Sequence, residues 1–412
     1  MDLALTDEQA MIRDAAADVL AERSASADVR RALEQSAGRD DALWAALSGE
    51  LGWNALALPE AAGGLGLGAV EQTVLMEQLG RRIACVPYFS TACLAATALA
   101  GCAETPLAKD WLARVAEGAC SATLALPLEL PTVVRSLPVV AEETAGGYAL
   151  CGTLEQVIDG ARADLLLVPA RIANEGQSIG LFAIDVATAS GLKVTPLDTL
   201  DTTRPIARVV FDEARMSRDA LLAFGTVAAK LLERTAWFAA LALAAEQLGG
   251  AQQCLDLTLD YTSQRVQFGR AIASFQAVKH RCAQMMVLIE SARSAVLGAA
   301  HAWDAEAGNT QPSDALRADI AAAKSAANDA YAFCAQEAIQ LHGGVGFTWE
   351  YDPHLYFKRA QASGAQFGST PQLLEWIATH AIDGGGSHRD AAFAPAGAMA
   401  SRPSAARAGA LQ

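Results

Sequence analysis

No CxxC pair occurs among the eight cysteines of this 412-residue chain, and no HExxH or similar ligand spacing occurs among its six histidines. Dithiol redox centres and structural zinc sites need such pairs, because one short turn must present both ligands together. Cys85, Cys93, Cys102, Cys120, Cys151, Cys254, Cys282 and Cys334 lie mostly among Ala, Leu and Val. They read as small buried thiols in a reducing compartment, and no metal site is expected. Basic residues are scarce as well: 31 Lys and Arg face 46 Asp and Glu, for a net charge of −15. Binding nucleic acid means neutralising phosphates with cations, so that class of partner is excluded. The longest apolar run, near residues 235–245, is well short of the roughly 20 residues that span a bilayer. The first eleven residues carry acids and no basic-then-apolar pattern, so they do not read as a signal peptide. The expected location is the cytoplasm, with no membrane contact.

Alternation of strand and helix is also missing, which excludes a Rossmann-type cofactor domain. Three textures follow one another instead. Residues 1–121 read as a helical domain, opened by the capping-box pattern Thr6-Asp7-Glu8-Gln9. A second helical stretch covers about 70–99, after the glycine-rich segment 59–68. No strand leads into that segment, so it reads as a helix-linking loop before a phosphate loop. Residues 122–224 alternate short apolar runs with turn residues. Strands are expected at 139–141, 148–151, 165–168, 179–184 and 209–211, with turns at Gly146-Gly147 and Gly191. Residues 225–382 return to long helical patterns at 227–264, 276–305, 313–342 and 371–379, which suggests a bundle. The tail, 383–412, is rich in Gly, Ala, Ser and Pro and reads as disordered. The expected class is α+β multidomain: helical domain, β-barrel or sandwich domain, four-helix bundle.

Two segments carry possible chemistry. In Tyr261-Thr262-Ser263-Gln264-Arg265-Val266-Gln267-Phe268-Gly269, a guanidinium at a helix end can meet a diphosphate, and Phe268 can pack on a flat ring. Gln276, in the following Phe275-Gln276, could read a heteroatom edge. The plain alternative is a helix–helix corner with a surface arginine. In Gln340-Leu341-His342-Gly343-Gly344-Val345-Gly346 a single glycine would cap the helix, and the others let a backbone approach a ligand closely. Here the alternative is a flexible helix stop.

Together, at this separation and after a β insertion, these segments resemble the acyl-CoA dehydrogenase family. The resemblance runs from the N-terminal helices, through Pro59-Glu60 and Gly63-Gly64-Leu65-Gly66, to about residue 380. It implies FAD held between the β domain and the bundle, with a neighbouring subunit reaching the adenosine diphosphate end. Arg265, Gln267 and Phe268 match the family's Arg-x-Gln-Phe-Gly motif, and Gln276 its following Phe-Gln. Gln340, Gly343 and Gly344 match the Gln-x-His-Gly-Gly loop, and Thr370 and Gln372 a later Thr-x-Gln. The implied activity is α,β-dehydrogenation of an acyl-CoA, with electrons passed to an electron-transfer flavoprotein. The implied assembly is a homo- or hetero-oligomer with an acyl-CoA dehydrogenase partner.

That chemistry needs a carboxylate whose pKa is raised by burial, to take the proton alpha to the thioester. In most members it is a glutamate before a Gly-Thr pair, and Gly368 stands at that position here. In the isovaleryl type it lies on the helix before Arg265, at a position that falls on Ala239. The family's substrate-binding Asp-x-x-Arg falls on Trp237 and Ala240. The family's Glu-Pro…Gly-Ser-Asp run is replaced by Leu126-Pro127 and Thr132-Val133-Val134-Arg135. Its aromatic-x-Thr aligns with Gln156-Val157-Ile158. One carboxylate could take over: Glu246 shares a helix face with positions 239 and 243, and is the expected base if its pKa is raised. The alternative is a non-catalytic or half-site subunit of a heteromeric enzyme for bulky, steroid- or ring-derived acyl-CoA.

Overall fold

The computed structural model describes residues 3–127, 130, 137–175 and 178–382. The tail 383–412 lies outside the described residues. Helix α1 (Asp7–Arg23) opens on the expected capping box, in which the Gln9 amide N–H donates to Thr6 Oγ1 at 3.2 Å. The Thr6 N–H donates in return to Gln9 Oε1 at 3.0 Å. Helices α2 (Ser26–Gln35), α3 (Asp41–Ala45), α4 (Ala69–Arg81), α5 (Ala96–Ala100) and α6 (Pro106–Ala116) complete the N-terminal region. Residues 70–99 are not one helix. The chain leaves α4 through Ile83, at a positive φ of 40°, and re-enters helix in the π-helical turn Phe89–Ala95 that leads into α5. The segment 59–68 is a linking turn, in which the 3-10 helix Glu60–Ala62 is closed by Gly63 at φ 83°.

Strands β1 (Ala122–Leu124), β2 (Val140–Thr144), β3 (Gly147–Ile158), β4 (Leu165–Ile172), β5 (Ile179–Asp185), β6 (Leu192–Pro196), β7 (Ile206–Ser217) and β8 (Leu221–Phe224) form one eight-stranded sheet. Its order is β6-β7-β3-β2-β4-β5-β8, with β1 parallel beside β4. The five expected strands overlap β2, β3, β4, β5 and β7. The unexpected ones are a three-residue strand (β1), a solvent-facing strand with two charged or polar positions (β6) and a four-residue strand (β8), all too short or too polar to show a period. The sheet has its own core, which includes Val139, Leu150, Phe182 and Val209.

The bundle consists of α7 (Gly225–Gln264), α8 (Gln276–Ala305), α9 (Asp314–His342), α10 (Pro353–Ala365) and α11 (Thr370–Ile377). A small hairpin, β9 (Val266–Gln267) and β10 (Arg270–Ala271), turns α7 into α8. Helix α10 is an addition to the expected set. Its Pro353 sits at the first turn, where the missing N–H costs nothing. Helix α7 is buried on every side from Thr235 to Ala251, as expected of a helix that is apolar all round. It packs against α4, α8, α9 and α10. The α4–α7 contact is backbone to backbone. A Cβ on Gly80 would lie 2.0 Å from the Glu246 carbonyl oxygen, and one on Gly249 would lie 1.9 Å from that of Glu77. These two glycines bring the middle of α7, with Glu246, against α4.

Helix propensity alone favours alanine over glycine by about 1 kcal/mol. Overpacking costs about 1–3 kcal/mol, and here it opposes two backbone oxygens that cannot swing away. Gly249→Ala is therefore expected to lower the urea midpoint. An unchanged or raised midpoint would show that the helices slide apart freely.

Candidate functional site

The helices bring most of the predicted cofactor contacts to one end of the bundle. Helix α7 ends at Gln264, α8 starts at Gln276 and α9 ends at His342. The Tyr261 ring stacks on His342 at 4.4 Å, so the ends of α7 and α9 lie side by side. Arg265, Gln267, Phe268, Gln276, Gln340, Gly343 and Gly344 are thus neighbours, and all are exposed. Phe268 is 89 % exposed and has φ 53°. Nothing lies within 4 Å of a Cβ built on Gly269, Gly343 or Gly344. One guanidinium, three amides and open glycine backbone make a donor set suited to a diphosphate.

Thr370 and Gln372 are not part of this group. The Thr370 hydroxyl donates to Asp329 Oδ1 at 3.0 Å, and Gln372 Oε1 accepts from the Ser369 N–H at 3.1 Å. Asp329 lies fourteen residues before Gly343, about 20 Å along α9 at 1.5 Å per residue. Glu246 is also remote: nineteen residues before Arg265, about 28 Å along α7.

Glu246 lies inside a buried ion cluster. It is 4 % exposed. Arg204, from the loop between β6 and β7, donates to Oε2. Arg359 Nη1, from α10, donates to Oε1 at 2.5 Å. Arg359 also pairs with Asp201 Oδ2 at 2.7 Å and donates to Thr203 Oγ1 from Nη2 at 2.6 Å. Two carboxylates and two guanidiniums, all buried, bind one loop of the sheet domain to two helices of the bundle. Burial alone would raise the Glu246 pKa. The charges and hydrogen bonds of Arg204 and Arg359 outweigh it and leave Glu246 below its ordinary value. The expectation of a base with a raised pKa facing an open cavity is therefore corrected: the reason is a pair of cations remote in sequence. The adjoining cavity, between the loop carrying Asp201 and Arg204 and α10, has a volume of about 60 Å³.

A polar layer continues from this cluster. Gln247 Nε2 donates to Asn328 Oδ1 at 2.8 Å and to Ser363 Oγ at 3.0 Å. Lys324 Nζ donates to Asn328 Oδ1 at 2.5 Å, and Asn328 Nδ2 donates to the Gly368 carbonyl at 3.2 Å. Burial lowers the Lys324 pKa to about 7, against a smaller opposing pull from Glu246. Gly368 has φ 106°, and a Cβ there would lie 2.7 Å from the buried side chain of Leu373. Phe367, at φ 52°, is fully buried against Phe89. No carboxylate fits at position 368 without moving this packing. Trp237 is buried edge-on to Trp376, with ring centroids 5.2 Å apart, and His380 stacks on Trp376 at 4.4 Å. Ala239 and Ala240 are fully buried. The segment Thr132 to Arg135 lies outside the described residues.

Among the described residues no helix is long and apolar enough to cross a membrane, and no group of three or more His, Cys, Asp or Glu is placed to hold a metal ion.

A helical region, a central β-sheet domain and a helical bundle whose glycine loop meets the α7–α8 corner define the architecture of a flavin-dependent dehydrogenase. Residues 6–119 match the acyl-CoA dehydrogenase N-terminal domain and residues 230–382 the C-terminal domain. The chain is 33% identical over 369 residues to the acyl-CoA dehydrogenase IpdE2 of Mycobacterium tuberculosis, covering 89% of this chain and 95% of that one. The ChsE4-ChsE5 complex from Mycobacterium tuberculosis matches with a TM-score of 0.80 at 29% identity, over 92% of this chain and 98% of that chain. The Tcur3481-Tcur3483 steroid ACAD, solved as a variant, matches with a TM-score of 0.77 at 30% identity, over 91% and 99%. The chain belongs to the acyl-CoA dehydrogenase family of FAD-dependent oxidoreductases.

Two outcomes follow from the polar core. Glu246→Gln leaves two buried guanidiniums facing only one carboxylate, and is expected to cost about 3–5 kcal/mol in urea unfolding. A loss under about 1 kcal/mol would mean that the cluster is open to water. Lys324 has a folded pKa of about 7 against 10.5 as its reference value. Above pH 7 the unfolded chain therefore binds more protons at this site, and stability from it rises between pH 7 and about 10.5. Lys324→Met is expected to flatten that rise relative to wild type. Parallel pH profiles for the two proteins would contradict it.

Proposed function

We propose that this chain is a subunit of a heteromeric acyl-CoA dehydrogenase, and that the carboxylate taking the α-proton belongs to the other chain. The observation that carries this reading is the clamp on Glu246. A general base needs a pKa near the working pH and reach to the substrate. Glu246 is held as an anion by two arginines, with both oxygens occupied. The family's two base positions, Gly368 and Ala239, offer no proton acceptor. The resemblance to the ChsE4-ChsE5 complex and to the Tcur3481-Tcur3483 steroid ACAD supports the two-chain form and a bulky, ring-bearing acyl-CoA as substrate.

In this reading Arg265, Gln267, Gln276, Gln340 and the amides of Gly343 and Gly344 hold the diphosphate end of FAD, and Phe268 covers an adjoining ring. The ring end does not fit beside Glu246, where the described residues leave about 60 Å³ against the roughly 300 Å³ or more of an ordinary ligand site. When bound, FAD supplies the hydride acceptor for the β carbon, and an electron-transfer flavoprotein is the expected recipient of the electrons. This chain's task is to bind and orient the cofactor's diphosphate and to close one wall of the shared site. Its ion cluster keeps the sheet and bundle aligned for that task.

The chain purified alone is expected to be flavin-poor and inactive on acyl-CoA, and to become yellow and active when co-expressed with a family member that has the glutamate. In that complex Arg265→Ala is expected to lower flavin occupancy about tenfold, a loss on the scale of one charge-assisted hydrogen bond. A fully flavinated, active homomer whose rate survives every co-purification control would refute the proposal.

A further inference from the structure

The glycine loop is held by a helix from the far end of the chain. Gly343 leaves α9 at φ 63°, and the backbone then turns through the 3-10 helix Gly343–Phe347. Gly346 folds back on the last turn of α9, where a Cβ would lie 2.8 Å from the Ile339 carbonyl oxygen. Gly343 and Gly344 carry the amides suited to a diphosphate, and a Cβ on either would meet open space among the described residues. Glycine backbone is free to take many conformations. These two amides therefore keep one arrangement only if the chain is fixed on both sides of them. On the α9 side it is fixed by the helix end: the His342 ring stacks on Tyr261, and its Nδ1 donates to the Ala338 carbonyl at 2.6 Å.

On the other side it is fixed by α2. Arg30 donates through Nη1 to the Trp349 carbonyl, 319 residues later, and through Nη2 to Asp352 Oδ1 at 2.5 Å. Its Nε donates to Ser26 Oγ at 3.2 Å, and Ser26 donates in turn to the same Asp352 oxygen at 2.7 Å. The Trp349 indole N–H donates to Glu34 Oε1 at 3.3 Å, also on α2. Between the two anchored residues, Tyr351 meets Tyr261 edge-on at 5.9 Å, which ties the same segment to the end of α7. The Arg30 and Asp352 side chains are only 15 % and 20 % exposed, so water and salt screen this pair less than an open surface pair. All three guanidinium nitrogens of Arg30 are used, and two of them go to the return segment of the loop. A lysine has one nitrogen and cannot make this fork.

We propose that Arg30 is a positioning residue for the cofactor: by holding Trp349 and Asp352 it fixes the Gly343 and Gly344 amides in the arrangement that receives the diphosphate of FAD. Arg30 acts through the loop and needs no contact with the cofactor. This role rests on the reading proposed above, in which those amides face the diphosphate, and adds to it a support from the N-terminal helices. A binding group is only as well placed as the residues that hold it. With Arg30 removed, the loop keeps its helix end and loses its far anchor. Binding must then order backbone that is already ordered in the wild type.

The full-length chain, co-expressed with a family member and freed of flavin, is titrated with FAD and with ADP, which carries the diphosphate without the flavin ring. Arg30→Met is expected to weaken both about tenfold, the scale of ordering one residue's backbone on binding. The thermal midpoint of the flavin-free complex is expected to stay within about 4 °C of wild type. Arg30→Lys keeps the charge without the fork and is expected to leave most of the loss in place. Arg31→Met, one residue along α2 where the partners are Asp28 and Asp40, is expected to bind both ligands as wild type does. Should Arg30→Met not assemble, Asp352→Ala removes the bridge from the loop's side, and the same tenfold loss is expected. Arg265→Ala separates this role from the reading beneath it. If Arg265→Ala weakens FAD while Arg30→Met and Asp352→Ala do not, the cofactor reading stands and the role of Arg30 is overturned. A lowered midpoint with unchanged affinity, or a loss for FAD without one for ADP, overturns it as well. If neither Arg265→Ala nor Arg30→Met changes FAD or ADP binding, the diphosphate is not held at this loop, and the role and the reading fall together.

Discussion

The structure turns on the pairing of Glu246 with Arg204 and Arg359. Each of these charges would be costly alone in so dry a place, because burying an unpaired ion costs several kcal/mol even after relaxation. The cluster is tolerable because Asp201 brings its charge to zero and Thr203 accepts from Nε and Nη2 of Arg359; Arg204 Nη1 is left buried without a partner. Its members come from the β6–β7 loop, α7 and α10, so the sheet domain and the bundle cannot shift relative to each other without stranding a charge. The close packing of α4 on α7 through Gly80 and Gly249 fixes the same stretch of helix from the other side. Position, more than net stability, is what such a cluster provides.

The same pairing decides the chemistry. A carboxylate can act as a base near neutral pH when desolvation raises its pKa, and desolvation is the largest influence on Glu246. Two guanidiniums reverse the result. One arginine can thus turn a buried glutamate from a candidate base into a structural anion, and a second fills its other oxygen. Gly368 completes the picture. Its left-handed φ and the Leu373 side chain beside it belong to a loop packed without a side chain there, and Asn328 anchors its carbonyl. In the two-chain reading proposed above, neither Gly368 nor Ala239 supplies the proton acceptor.

Local signals were legible and distant pairings were not. The Thr6–Gln9 capping box, the long helices of the bundle and five of the strands follow from short-range pattern, and the structure has them. Helix α10 was hidden because its pattern is interrupted by His354, Lys358 and Arg359, the last of which is buried for a reason found 113 residues away on α7. The broken helix at 82–88 depends on a positive φ at Ile83, a conformation that no sequence pattern favours for a β-branched residue. Glu246 itself was visible as an acid in an apolar helix, but its sign of pKa shift depended on Arg204 and Arg359. An arginine surrounded by Tyr356, Phe357 and Ala360 was the available hint that a buried partner existed.

The glycine-loop end of the bundle bears on the two-chain reading. Phe268 is 89 % exposed, Phe347 68 % and Val266 58 %, with Met286 and Val287 exposed on α8. Large apolar side chains are seldom left together in water unless another surface covers them. Val266, Phe268 and Phe347 adjoin, in the chain, donors suited to a diphosphate, while Thr370 and Gln372 sit about 20 Å away along α9. A second chain laid across the apolar residues would cover them, bridge that distance and bring its own carboxylate to the shared site. The exposed aromatics and the clamped glutamate, two observations with no residue in common, both support the two-chain reading proposed above.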